Sequence, residues 1–93
     1  MYISKYNLII EYNGTYWHCD PRKFSSDYFH KHKNITAKEV WELDRNKLYL
    51  TEKHNYNCEV IWEMDYKKDK NIINKILEKY ESTQNKNYCN PKR

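Results

Sequence analysis

With 93 residues the chain has room for one small domain. Hydrophobic residues are only 39 % and aromatics 16 %, so a core must lean on rings, and the formal charge of +4 suits a polyanionic partner weakly. The N-terminal MYISKYNLIIEY lacks the cleavage site of a signal peptide, no run approaches the roughly 20 apolar residues of a membrane span, and Cys19, Cys58 and Cys89 are too few and too scattered for a disulfide framework. A reducing, cytoplasmic setting with no membrane partner is expected. Lys, Asn, Tyr and Ile are abundant, and their AT-rich codons alone raise both the charge and the tyrosine count, so both signals are discounted.

The first element is NLIIEY, residues 7 to 12. Its β-formers and its apolar run Leu8-Ile9-Ile10 predict a strand buried on both faces. Asn13-Gly14 follows, a strong hairpin signal that contains the only glycine in the chain. TYWH is expected to return as a second short strand, which Pro21 ends. Residues 20 to 35 have no clean period and read as a loop with one helical turn. They are basic and aromatic, with Arg22, Lys23, Phe24, Tyr28, Phe29, His30, Lys31, His32 and Lys33.

Thr36-Ala37-Lys38-Glu39 is a capping box, so a helix is expected from Thr36 to about Lys53. Ala37, Val40, Trp41, Asp44, Leu48 and Thr51 share one face of it. HNYN, residues 54 to 57, reads as a turn, and CEVIWE, residues 58 to 63, as a strand. Asp69 is the expected N-cap of a second helix with Ile72, Ile73, Ile76, Leu77 and Tyr80 on one side. The expected domain is 1–82, and 83–93 is read as a flexible basic tail. The class is α/β (α+β): a small mixed sheet in the order strand, turn, long helix, strand, helix, with a right-handed crossover joining two parallel strands.

Asp44 stands out, because an acid on a mostly apolar helical face needs a cation, a donor or a metal. Glu11 read alone is a solvated strand-end acid as readily as a functional one, and His18 beside Trp17 is as readily structural. Packing the long helix on the strand brings Glu11, His18 and Asp44 toward one end of the sheet. Two carboxylates and an imidazole are the groups used by metal-assisted hydrolysis: one acid for a divalent ion, the histidine for water or a phosphate oxygen, the other acid to fix the imidazole. Asp65 in WEMD reads as a solvated acid at a strand end or a further site carboxylate. His18, Cys19, His30, His32 and Cys58 lack the paired spacing of a zinc site. The loop 22 to 33 reads either as a solvated loop or as a grip on a phosphate backbone.

NLIIEYNGTYWHCDP, followed by AKEVWELDRNKLYLTEKHNYNCEVIWEMDY, resembles the very short patch repair endonucleases, and more closely the related homing-type endonucleases of phages and large viruses. These belong to the PD-(D/E)XK superfamily. The resemblance covers roughly residues 2 to 68, and its distinctive pieces are E-Y-N-G, the W-H pair, W-E-x-D and the V-I-W-E strand. It implies a restriction-endonuclease-like core lacking its N-terminal helix and first strand, and a Mg²⁺-dependent DNA endonuclease of nicking, homing or repair type acting on double-stranded DNA. By resemblance, His18 is the catalytic histidine, Asp44 the acid that pairs with it, and Glu11 a metal-proximal acid. Asn13 lies where the superfamily often has lysine, and Trp17 matches an aromatic that wedges into the DNA stack. The metal-binding aspartate of the relatives falls just before Met1, so Asp20 or Asp65 is expected to join Glu11 at the metal. Asn13, Trp17, Arg22, Lys23, Lys31 and Lys33 are the expected DNA contacts. The histidine and cysteine cluster that holds structural zinc in the repair enzymes is only partly present, and no structural zinc is expected. A shortened, inactive nuclease fold that binds DNA or protein is the alternative. An exposed sheet edge would then invite a homodimer or a partner chain.

Overall fold

The computed structural model describes residues 1–87. It is a small mixed α/β fold around a three-stranded sheet, ordered β1 (Tyr2–Ile3), β2 (Leu8–Asn13), β5 (Asn57–Trp62). β1 and β2 are antiparallel, joined by a short 3₁₀ turn over Ser4–Tyr6 that closes at Asn7 in the left-handed region. β2 and β5 are parallel, in register from Leu8 opposite Asn57 to Asn13 opposite Trp62. Their shared register matters for function, because both strands end at the same level of the sheet.

The long helix α1 runs Ala37–Lys53, as its capping box predicts. Thr36 Oγ1 accepts from the Glu39 backbone N–H at 3.3 Å, and a Glu39 carboxylate oxygen accepts from the Thr36 N–H at 2.9 Å. Two of the helix's unpaired N-terminal donors and the chain entry are thereby fixed. Beyond the helix, Asn55 adopts a φ of 70°, a conformation that asparagine tolerates better than most side chains, and the chain turns into β5.

Alternation along β2 and β5 divides the side chains between the two faces of the sheet. On one face Leu8, Ile10 and Ile61 are buried beneath Ile72, Ile73, Ile76, Leu77 and Tyr80 of the last helix, α3 (Ile72–Asn87), with Tyr66 of the short helix α2 (Glu63–Lys68) beside them. Burying each such aliphatic side chain contributes about 1.5–3 kcal/mol. A second cluster lies at the start of α1, where Ala37 and Val40 bury Cys19 with Phe24, Tyr28, Ile35 and Trp41 around them.

Several expectations change. TYWH forms no strand: residues 15–19 are a compact turn with His18 N–H on Gly14 O and Asp20 N–H on Thr15 O. Gly14 has no positive φ, and Cys19 holds the left-handed position instead, at 50°. The segment 20–35 contains a hairpin of β3 (Phe29–His30) and β4 (Ile35–Thr36) rather than a helical turn. Asp69 ends α2 as its C-cap, although its carboxylate still accepts from the Asn71 N–H just before α3. α2 itself, and the edge strand β1, were not anticipated. α3 continues to Asn87, past the expected boundary at residue 82, and the rest of the expected tail, 88–93, lies outside the described residues. Among the described residues no helix is long and apolar enough to cross a membrane.

Candidate active site

The face of the sheet opposite α3 is not sealed. A cavity of about 390 Å³ opens between it and α1. Glu11 and Asn13 enter from β2, and Cys58, Val60 and Trp62 from β5. Trp41, Asp44, Arg45, Lys47, Leu48 and Thr51 enter from α1, and His18 and Pro21 from the turn after β2. Ligands of open α/β sheets gather at the carboxyl ends of parallel strands, and Asn13 and Trp62 mark those ends here.

His18 Nδ1 and Asp44 Oδ2 are 2.9 Å apart across a wall of this cavity, each side chain about three-tenths exposed. An ionised Asp44 makes Nδ1 the donor, which leaves Nε2 as the nitrogen able to accept a proton from water. Helical spacing put Asp44 on the inner face of α1, and that face does meet His18.

Glu11 reaches the same cavity but is already partnered: Lys47 Nζ donates to its carboxylate at 2.7 Å. That bond raises the Lys47 ammonium's pKa, so Lys47 stays charged. Asn13 is buried at the cavity's end. Burial pushes the Cys58 thiol up, with Glu11 adding to the effect, so Cys58 borders the cavity as a neutral thiol.

The turn that carries His18 is held from three directions. Glu63, at the start of α2, accepts from the Thr15 N–H at 2.8 Å. This contact, followed by the Lys67 ammonium, keeps the Glu63 carboxyl below its ordinary value. On the α1 side, Trp41 Nε1 donates to the Cys19 carbonyl at 2.6 Å. A cysteine at positive φ costs of order 1–3 kcal/mol, so its surroundings must hold it there. Finally, Asp20 is fully buried and takes three bonds from Arg22: backbone N–H at 2.9 Å, Nε at 3.0 Å and Nη2 at 2.7 Å. The guanidinium holds the Asp20 carboxyl below its usual range. Its other edge reaches Asp65 at 2.8 and 3.2 Å.

The expected site therefore divides. His18, Asp44, Glu11 and Asn13 converge on one cavity. Asp20 does not join Glu11 there, because both its oxygens are taken by Arg22. Arg22, expected to touch DNA, is held between two carboxylates. Lys23 and Lys31 are exposed and Lys33 is half-buried on the basic loop. Trp17 is half exposed, against Tyr16, His30 and His32. Among the described residues no three His, Cys, Asp or Glu side chains group closely enough to hold a metal by themselves.

Arg45 and Lys47 were missed. Their signal is their position: they lie one and three residues beyond Asp44, so they flank the face it occupies. Arg22's double clamp left no such trace, since Asp65 is 43 positions away. Compared with protein-family models, with curated proteins and with solved structures, the chain matches none.

Proposed function

We propose that the chain is a magnesium-dependent DNA endonuclease, of the type its sequence resembles, that hydrolyses a phosphodiester at the cavity between α1 and the ends of β2 and β5. The observation that carries this reading is the 2.9 Å pairing of His18 with Asp44 on the wall of a cavity that Glu11 also enters. Asp44 fixes the ring so that Nε2 takes a proton from an attacking water; the imidazolium formed is stabilised by the same carboxylate. Arg45 and Lys47 place positive charge where a phosphate would lie. Lys23 and Lys31 on the exposed loop extend that charge along a strand, and Trp17 offers a face for a base. The fold implied is a restriction-endonuclease-like core.

Magnesium is usually bound through one or two carboxylates, with water and substrate phosphate completing an octahedron. Glu11 on the cavity fits that pattern as the single carboxylate, for an ion that arrives with the phosphodiester. Glu11 would hold it, and its bond to Lys47 would have to loosen. When bound, the ion supplies charge neutralisation at the phosphate oxygens.

The Glu11–Lys47 pair favours a second reading, a nuclease fold that binds DNA without cutting it. Plasmid nicking by purified protein, with and without Mg²⁺ and beside Asp44→Asn, separates the two. Nicking that needs Mg²⁺ and falls by about 10²–10⁴-fold in Asp44→Asn is expected. Salt-sensitive binding by folded protein with no nicking at any Mg²⁺ concentration would reject catalysis and leave the second reading.

A further inference from the structure

We propose that two acids of α2, Glu63 and Asp65, are positioning residues for His18: they clamp the turn 14–20 from outside the cavity and hold the imidazole against Asp44. The inference rests on the reading of His18 and Asp44 as the working pair.

The sheet register creates the clamp. β2 and β5 end side by side at Asn13 and Trp62, so the residues that follow, Gly14-Thr15 and Glu63, leave the sheet as neighbours. Glu63 Oε1 lies 3.7 Å from where a Cβ on Gly14 would stand, and it accepts the Thr15 N–H at 2.8 Å. Two residues on, Asp65 meets Arg22 through two bonds, and Arg22 in turn encloses the buried Asp20. Thr15 O accepts the Asp20 N–H at 2.9 Å, so both anchor points belong to one hydrogen-bonded ring of backbone. His18 lies between them in sequence, with its own N–H on Gly14 O at 3.1 Å. Neither Glu63 nor Asp65 lines the cavity. Their effect must pass through the turn.

Two carboxylates on a six-residue helix would be an extravagant way to decorate a surface. Exposed ion pairs contribute about 1 kcal/mol or less, and Glu63–Lys67 is one of these. A charge-assisted bond to a backbone N–H is different, because it fixes the path of the main chain. The imidazole has one carboxylate to meet, and displacement by about 1 Å is enough to cost a catalytic pair up to about a hundredfold in rate.

The test uses the full chain with Glu63→Ala, Glu63→Gln and Asp65→Ala. Glutamine keeps a carbonyl oxygen for the Thr15 N–H; alanine does not. The His18 ring is titrated by NMR in each background with and without Asp44→Asn, and the difference between the two midpoints measures the coupling of His18 to Asp44. The other charged groups that line the same cavity are Glu11, Arg45 and Lys47. Glu63→Ala and Asp65→Ala are expected to shrink that difference, while Glu63→Gln restores most of it. Nicking, where it occurs, is expected to fall about tenfold or more in both alanine variants with KM little changed. An unchanged coupling in folded alanine variants overturns the proposal. So does unfolding of both, since the acids would then hold the fold and not the site. Loss of coupling in a protein that never nicks DNA supports the clamp and rejects the nuclease reading, so the two failures are distinguishable.

Discussion

On the α3 side of the sheet, Leu8, Ile10 and Ile61 are sealed under aliphatic side chains. On the α1 side the alternate residues of the same two strands, Glu11, Asn13, Cys58, Val60 and Trp62, border open space. One backbone register serves both. Strand alternation lets β2 put Leu8 and Ile10 into the core and Glu11 and Asn13 into the site, so the sheet that stabilises the domain also fixes the distances in the cavity. The closed face should respond to mutation in stability, and the open face in function.

The largest break in that contrast is Leu8→Ala. Leu8 is fully buried, and truncation leaves a cavity that α3 cannot fill without moving. A loss of about 2–5 kcal/mol is expected in urea unfolding monitored by tryptophan fluorescence. A change below about 1 kcal/mol would mean that the α3 face is not the core. Asp44→Asn on the opposite face should leave the unfolding midpoint nearly unchanged while removing the His18 pairing.

Arg22→Ala is the next largest, because it leaves Asp20 buried without its cation. A loss of about 3 kcal/mol is expected at neutral pH. The pH dependence sharpens the test. In the wild type the Asp20 carboxyl is held below its unfolded value near 3.9, so its stabilising contribution is present above about pH 4 and is lost as pH falls through the lower folded value. In Arg22→Ala the backbone N–H of residue 22 still donates to Asp20, but the guanidinium is gone, and the larger effect left is burial, which raises a carboxyl's pKa. The variant should therefore recover part of the deficit as the pH falls below neutrality. Stability curves of the two proteins that stay parallel from pH 7 to about pH 3 would show that Arg22 does not carry the Asp20 charge.

Much of the open face was legible from spacing. A helix started by Thr36 and Glu39 fixes the phase of everything after it, so Asp44 had to share a face with Val40 and Trp41. The strand run LIIEY likewise placed Glu11 near the sheet's end. The supports of the site were not legible, for a physical reason. Thr15 and Glu63, or Arg22 and Asp65, are joined across more than forty residues by one or two polar contacts, and these leave no periodic pattern. α2 was hidden for the same reason: a six-residue helix gives too few turns for a face to repeat.

Lys47→Met tests whether the open face is held shut by its own cation. Lys47 is largely exposed, so the pair with Glu11 adds about 1 kcal/mol or less, and the unfolding midpoint should scarcely move. Metal dependence should move more. With Glu11 released, the Mg²⁺ concentration for half-maximal nicking is expected to fall. A rise, or loss of nicking at saturating Mg²⁺, would instead make Lys47 a phosphate contact that the reaction needs.

The smallest effect concerns the residue that looked most diagnostic. Asn13-Gly14 reads as a hairpin turn in which glycine supplies a left-handed φ. Gly14 does not use that freedom; the left-handed residue in this turn is Cys19. A methyl at Gly14 would meet Glu63 Oε1 at 3.7 Å and Trp17 Cδ1 at 3.9 Å, both ordinary contacts. Gly14→Ala should therefore stabilise the protein by about 0.4–1 kcal/mol, by reducing the freedom of the unfolded chain, and leave the His18 titration unchanged. A destabilisation of similar size in thermal unfolding would mean that the chain needs more room at Gly14 than these contacts leave. The Thr15–Glu63 bond beside it would then be under tension, and the end of β2 would be coupled through it to the turn that carries His18.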